Sequence, residues 1–233
     1  MTATLTESDL RAIADEADAR FAGAPAAEVV SWAHTTFGSG LVVASSMADT
    51  HLVHLAQTAA PGIDVLFLDT GYHFAETIGT RDAVAQAYAV NLISITPRQT
   101  VAEQDAQYGA RLHDRDPDRC CAMRKVEPLE RGLKPYTAWI NGMRREEAPT
   151  RSDIRVVGYD AKRNMVKISP IAAWTHQDVE DYVGEHGVLV NPLFFDGYTS
   201  VGCEPCTRRT QAGEDPRAGR WAGLAKTECG LHT

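Results

Sequence analysis

The chain lacks what would place it in a membrane or on an export route. In its 233 residues no apolar run is long enough to span a bilayer, and the opening MTATLTESDL has neither a basic stretch nor the apolar core of a secretion signal. A soluble, cytoplasmic protein of one domain is expected. Basic residues are scarce in the first part. Residues 1–100 hold 4 basic against 11 acidic side chains, a balance of −7, and residues 101–233 hold 19 against 20, which brings the total to −8. Such a chain has no broad basic face for nucleic acid, although local arginine clusters in its second part could grip a small anion. Thiols for a disulfide framework are also wanting. The five cysteines, at 120, 121, 203, 206 and 229, cannot all pair within one chain and would not persist as disulfides in a reducing compartment. They are read as chemistry first.

What is present is an alternation of strands and helices. Two helices are predicted at the start, from Thr6 to about Phe21 with Thr6 as N-cap and from Ala26 to Thr36, stopping near Gly38; residues 1–38 form a helical cover. LVVAS (41–45), DVLFLDTG (64–71), NLISI (91–95) and AWING (138–142) read as strands or strand ends. Helical patterns follow Thr50 and run from His73 to about Ala89. This order predicts an α/β fold, a mostly parallel sheet with helices on both faces and ligands beyond the C-terminal strand ends. A hairpin is predicted around 154–158 and 165–168, then a helix capped by THQD at Thr175. Residues 39–196 are the expected α/β core. Residues 197–233, rich in Gly, Pro, Thr and Arg, are expected to be an irregular segment ending in a mobile tail within the same domain.

Cys203 and Cys206 form a C-x-x-C, and Cys120 and Cys121 are adjacent. Four thiolates can hold zinc or an iron-sulfur cluster. Adjacent cysteines do not easily form the knuckle of a zinc ribbon, so the spacing favours a cluster, with zinc and unligated thiols as alternatives. Cys229, in KTECGLHT, is either incidental or a nucleophile carried on a tail, with Glu228 working against its thiolate and Lys226 and His232 able to favour it once docked. The turn ASSMADT, with Ser45 and Ser46, and the turn LDTGYHF, with Asp69, Thr70 and Gly71, occupy strand ends where anions and riboses bind, though both residue types also cap ordinary helices. Lys125, Arg144, Arg145, Arg151, Arg208, Arg209, Arg217 and Arg220 make a cationic set suited to phosphate or sulfate, each singly more often surface than site. His73, His113 and His176 lack metal-ligand spacing.

Taken together, CC-x-x-RK (120–125), C-x-x-C (203–206), RAGRW (217–221) and ECGLH (228–232), with LDTGYHF and the ASSMAD turn, resemble assimilatory adenylyl-sulfate reductases over most of the chain from about Ser39. The resemblance implies an adenine-nucleotide alpha-hydrolase-like fold related to the PP-loop pyrophosphatases. It implies one 4Fe-4S cluster on Cys120, Cys121, Cys203 and Cys206, and reduction of adenosine 5′-phosphosulfate to sulfite and AMP. Cys229 would be the nucleophile, assisted by His232, forming a thiosulfonate that thioredoxin or a similar dithiol cleaves. Lys125, Arg217 and Arg220 would mask the phosphosulfate charge. Ser45, Ser46, Asp69, Thr70, Gly71, Gly142, Arg144 and Arg151 would bind the substrate. Ser46 stands where many relatives have glycine, so hydroxyls are expected to substitute for a closely wrapped backbone. The rivals are a 3′-phosphoadenosine 5′-phosphosulfate reductase, which typically loses the cluster cysteines, an ATP-dependent adenylating or RNA-thiolating enzyme of the same fold, disfavoured by the missing glycines, and a zinc-binding module. A homo-oligomer is compatible with the sequence; nucleic-acid and membrane partners are not expected.

Overall fold

A computed structural model describes residues 5–224 and 226–232, so part of the leaderless reading, resting on residues 1–4, lies outside the described residues. The strands β1 (Leu41–Ser45), β2 (Ile63–Leu68), β3 (Val90–Ile95), β4 (Ala138–Ile140), β5 (Val157–Asp160) and β6 (Met165–Ile168) form one sheet in the order β3-β2-β1-β4-β6-β5. Every neighbouring pair is parallel except β5, which returns antiparallel to β6. The helices are α1 (Glu7–Phe21), α2 (Ala26–Phe37), α3 (His51–Ala59), α4 (Ala75–Ala87), α5 (Val101–Tyr108), α6 (Leu112–Arg115), α7 (Pro117–Cys121), α8 (Glu127–Leu133) and α9 (His176–His186). Among the described residues no helix is long and apolar enough to cross a membrane.

Local chemistry explains most element ends. Thr6 accepts from the Asp9 amide while the Asp9 carboxylate takes the Thr6 amide, and Thr175 with Asp178 repeats this reciprocal cap. Two predicted boundaries shift. The first hairpin strand begins at Val157 and not near Ile154, because the amide of Ile154 bonds the Arg151 carbonyl and its own carbonyl accepts from Arg145 Nε at 2.8 Å. Those bonds take that stretch into the arginine loop. Helix α4 begins at Ala75 and not at His73, since Phe74 is extended and His73 Nε2 bonds back to the Leu68 carbonyl at 2.8 Å.

Alternate residues of the strands feed two faces. Val43, Val65, Phe67, Ile140, Val166 and Ile168 belong to the larger core, where Leu10, Ala14, Ala17 and Phe21 of α1 and Val29, Val30 and Ala33 of α2 are also buried. The N-terminal cover therefore contributes an apolar stripe to the main core. On the opposite face Val42, Leu66 and Trp139 meet Leu129 and Leu133 of α8, and Leu231 near the chain end packs against the same cluster. The direction of strand succession reverses at β1, which lies between β2 and β4. In an open α/β sheet the crevice beyond the strand ends at such a reversal is where ligands bind, and both Ser45 and the segment after Ile140 open there.

Candidate active site

Asp116 starts α7 by accepting from the Arg119 amide at 3.0 Å, with Pro117 in the first turn. The helix ends on Cys120 and Cys121 and continues through a π-helical turn, Ala122–Val126, into α8. Consecutive helical residues project about 100° apart, so the adjacent cysteines point in different directions. π turns occur often at functional positions, and this one carries Arg124 and Lys125. Cys203 and Cys206 flank a tight turn held by the Glu204 amide on the Tyr72 carbonyl at 2.7 Å and the Cys206 amide on the Cys203 carbonyl at 3.0 Å.

All four cysteines line one cavity, together with Tyr72, His113, Arg124, Lys125 and Trp221. The Thr70 hydroxyl lies 3.4 Å from Cys203 Sγ. Burial, then the neighbouring Cys121, Cys203 and Cys206, push the Cys120 thiol up to about 12; burial, then Cys203, push Cys206 up to about 11. Cys120, Cys121 and Cys206 are each held above the ordinary thiol pKa with burial as the first cause, and thiols of this kind become stable thiolates beside one another only around positive metal, which makes the four a fitting donor set. Among the described residues no group of three or more His, Cys, Asp or Glu side chains is arranged to hold a metal ion.

The chain end returns to this cavity. Cys229 is half-buried and lies within electrostatic range of Cys121, Lys125 and Arg220. Burial opposes the Lys125 ammonium, yet Cys203, Cys229 and Cys121 hold its pKa above the ordinary value. Burial and then Arg217 lower that of Arg220. The Arg220 guanidinium donates to the Ser200 hydroxyl at 3.3 Å and the Val201 carbonyl at 3.2 Å, leaving Nε buried without a partner. Glu228 receives both Arg151 Nε and Nη2, at 2.8 and 2.9 Å, and Arg217 Nη2 at 3.3 Å. Burial works against that carboxylate, but Arg151, Arg217 and Arg220 keep its pKa below the usual range. Further on, Arg163 holds the Leu231 carbonyl at 3.0 Å, and the His232 ring stacks on Trp139 at 5.5 Å and 6°. Burial, then Lys167, Arg151 and Arg163, depress His232 well below its normal pKa, so the docked ring is neutral and lends no positive charge to the sulfur.

The remaining expected residues divide. Ser45 and Ser46 hydroxyls accept the Met47 and Ala48 amides at 3.3 and 3.4 Å, and Met47 takes a left-handed φ of 56°. Hydroxyls thus shape a turn made without glycine. Asp69 closes its own turn through the Gly71 amide at 3.1 Å and lies 3.5 Å from Arg81; Thr70 is turned inward toward Cys203. Gly71 has a φ of 72°, and a Cβ there would press on Val101 and Arg124. A Cβ on Gly142 would meet Leu52 at ordinary contact distance. Arg144 gives its amide to the Glu147 carboxylate at 3.1 Å, and burial first, then Arg144 against the opposing pull of Asp49 and Glu147, holds the His51 imidazole below its usual pKa. Arg145, Arg208 and Arg209 are not part of this group: they engage the Ile154 carbonyl, Glu214 and the Tyr198 ring. His73 packs on Phe67, His113 lines the cysteine cavity, and His176 is exposed near Glu180.

Two residues with structural work at the site carried no role in the sequence reading. Arg124 is buried and donates to Gln104 Oε1 at 2.8 Å and the Thr70 carbonyl at 2.8 Å, which pins the β2 turn to the cysteine helix. Asn141 Oδ1 accepts the Met143 amide and the Ser169 hydroxyl, both at 3.1 Å, shaping the turn after β4. Both lie inside quoted motifs, but nothing in their spacing separated an inward from an outward side chain.

Residues 40–209 match the model of the phosphoadenosine phosphosulfate reductase domain. A protein from Streptomyces coelicolor named adenosine 5′-phosphosulfate reductase is 62% identical over 227 residues, 97% of this chain and 96% of that protein. One of the same name from Mycolicibacterium smegmatis is 54% identical over 98% of this chain and 97% of that protein. Among solved structures, a phosphoadenylyl-sulfate reductase from Candida auris in a phosphate complex superposes with a TM-score of 0.74 at 25% identity, covering 88% of this chain and 98% of that one. An FMN adenylyltransferase from Candida glabrata, at 11% identity and a TM-score of 0.59 over 91% of this chain and 80% of that one, shares the fold alone.

Proposed function

Since the chain belongs to the phosphoadenosine phosphosulfate reductase domain family, we propose that it reduces adenosine 5′-phosphosulfate to sulfite and AMP in cytoplasmic sulfate assimilation, with a thioredoxin-type dithiol as reductant and one 4Fe-4S cluster per chain. The observation that carries this reading is the docking of the Cys229 segment, by Glu228 on Arg151 and Arg217 and by Lys226 on Asp118, next to a cavity lined by Lys125 and four further cysteines. Residues 39–196 supply the nucleotide crevice and the first cysteine pair; residues 197–233 supply the second pair and the nucleophile.

The Cys229 thiolate attacks the sulfate sulfur, a sulfur–sulfur bond forms, and the bond from sulfur to the phosphate oxygen breaks. AMP leaves with that electron pair, and Cys229 is left as a thiosulfonate. A thiolate of the reductant then attacks Cys229 Sγ and expels sulfite. The second thiol of the reductant closes its own disulfide and frees Cys229. Two electrons pass from dithiol to sulfur. Lys125, Arg217 and Arg220 offset the charge of three sulfate oxygens that would otherwise repel the thiolate. Ser45, Ser46, Asp69, Gly71, Gly142, Arg144 and Arg151 form the walls against which the nucleotide binds; Thr70, turned inward to Cys203, backs the Asp69 turn instead of touching ligand, and His232 supports the tail through Trp139.

Cys120, Cys121, Cys203 and Cys206 would hold the cluster. Cysteines consecutive on a helix suit separate iron atoms better than one tetrahedral zinc, whose sulfurs would lie about 3.8 Å apart at a Zn–S bond of about 2.3 Å. When bound, the cluster supplies local charge that orients Lys125. Retention of these four thiols and the names of the relatives at 62% and 54% identity favour the substrate without a 3′-phosphate.

Anaerobic incubation with labelled adenosine 5′-phosphosulfate, followed by intact mass, tests the reading: a sulfonate on Cys229 and release of one AMP are expected. A higher kcat/KM for the 3′-phosphorylated nucleotide would reverse the substrate assignment. A colourless anaerobic preparation with stoichiometric zinc would remove the cluster.

Gly202 offers a more local test. A Cβ there would fall within van der Waals contact of the Arg220 guanidinium, so the glycine makes the seat in which Arg220 lies. Gly202→Ala is expected to displace that guanidinium and slow thiosulfonate formation about ten- to a hundredfold, with the circular dichroism spectrum unchanged. A rate equal to that of the parent would show that Arg220 needs no such seat.

A further inference from the structure

Glu228, the residue before the nucleophile, bridges two parts of the chain. Its fixed anchor is Arg151, on a tight turn after β4, buried and gripped as well by the Glu147 carboxylate. Glu147 in turn accepts the Arg144 amide at 3.1 Å, so Arg151 is braced by the rim of the nucleotide crevice. Its second partner is Arg217, which also donates to the Thr227 carbonyl at 3.0 Å. Two parallel N–H donors on one carboxylate fix direction as well as distance, which a single ionic contact does not. The tail is held on either side. Lys226 pairs with Asp118 at the start of the cysteine helix, and beyond the sulfur Arg163 holds the Leu231 carbonyl while Lys167 donates to the His232 carbonyl at 3.5 Å. Cys229 and Gly230 therefore lie between two anchored stretches.

We propose that Glu228 is the positioning residue of the nucleophile: seated on Arg151 and Arg217, its carboxylate sets the adjoining backbone so that the Cys229 sulfur stands beside Lys125 and Arg220 for attack. This rests on the sulfur-transfer reading above. The latch serves the first half-reaction, in which the thiolate must meet a bound sulfate in line with the departing phosphate oxygen. It does not serve the second, in which the sulfonated sulfur must be open to an external dithiol.

The test separates the two half-reactions in the full-length holoprotein. In Glu228→Gln, single-turnover formation of the Cys229 adduct with adenosine 5′-phosphosulfate is expected to fall about thirtyfold or more. AMP affinity should stay within about threefold, and cleavage of the preformed thiosulfonate by excess dithiothreitol should be as fast as in the parent or faster. Glu228→Asp, which keeps the charge but draws it back by one methylene, should recover part of the first rate, and it reports the same contrast if the Gln variant does not fold. A first step within about twofold of the parent, or equal slowing of both steps, overturns the proposal. A second arm needs no sulfonucleotide: alkylation of Cys229 by iodoacetamide, read on the C-terminal peptide, should quicken about fivefold or more when the latch is broken. Unchanged alkylation overturns the latch. Faster alkylation in a protein whose parent forms no adduct keeps the latch and rejects the reaction instead.

Discussion

Cys229→Ser is expected to abolish sulfite release, by a factor of at least about 10⁴, while leaving cluster absorbance and AMP binding intact. A serine hydroxyl is almost wholly protonated at neutral pH and is a poor nucleophile toward sulfur, so the change removes the attacking group and little volume. The four cavity cysteines do not include Cys229, and the groups that grip the tail act on Glu228, the Leu231 carbonyl and His232, not on the sulfur. The cluster should therefore remain, and visible absorbance, an AMP titration and a sulfite assay read the three properties separately. Residual turnover near the parent rate would remove Cys229 from the mechanism. Loss of absorbance together with activity would make it a structural thiol.

Lys125→Ala is expected to slow adduct formation about 10²–10³-fold, equivalent to about 2.7–4 kcal/mol, with AMP affinity changed less than about threefold. Lys125 is partly buried on the π turn, where burial alone would favour the neutral amine, yet the pull of the Cys203, Cys229 and Cys121 sulfurs on a positive charge leaves its pKa above the ordinary value. Among the described residues it forms no ion pair, so its charge is not already spent on a carboxylate. A charge held in that position acts on whatever anion lies between it and Cys229. AMP has the phosphate but no sulfate, so its binding should change little. Equal losses in rate and in AMP affinity would make Lys125 a uniform binder of nucleotide. Lys125→Arg should not fully restore the rate, since a planar fork differs from a compact ammonium in that space.

The parts of the fold governed by local chemistry were legible in the sequence. LVVAS ends at Ser45 in both readings because an apolar run meets a polar turn, and the caps at Thr6 and Thr175 depend on residues three positions apart. The drift in β5 arises elsewhere: Val157 gives its amide to Asp18, 139 positions away, and Arg145 captures the Ile154 carbonyl. The site followed the same division. Motifs nominated the cysteines, Lys125, Arg217 and Arg220, but no motif shows that Arg151 and Glu228, separated by 77 positions, share one carboxylate–guanidinium fork. Nor does it show that Thr70 turns toward Cys203 or that Arg124 turns inward to Gln104 and the Thr70 carbonyl while its neighbour Lys125 lines the cysteine cavity. From the sequence alone Glu228 offers only the charge it places beside a thiolate. Packing decides such matters, and each depends on residues brought together from distant parts of the chain.

The sheet face opposite α1 and α2 is closed by α8 and by the end of the chain, through Leu231 on the Leu66 and Trp139 cluster and through the His232 ring on Trp139. The segment that carries the nucleophile is thus also part of the roof over a hydrophobic core. Fully burying a leucine side chain is worth about 1.5–3 kcal/mol, and Leu231 is partly buried, so lifting this segment off the cluster would cost that order or somewhat less. A reductant that draws the sulfur out gains most if its own apolar surface covers Trp139 in place of the tail. A face uncovered in that way would draw the chain end back by the same hydrophobic effect that folds the core.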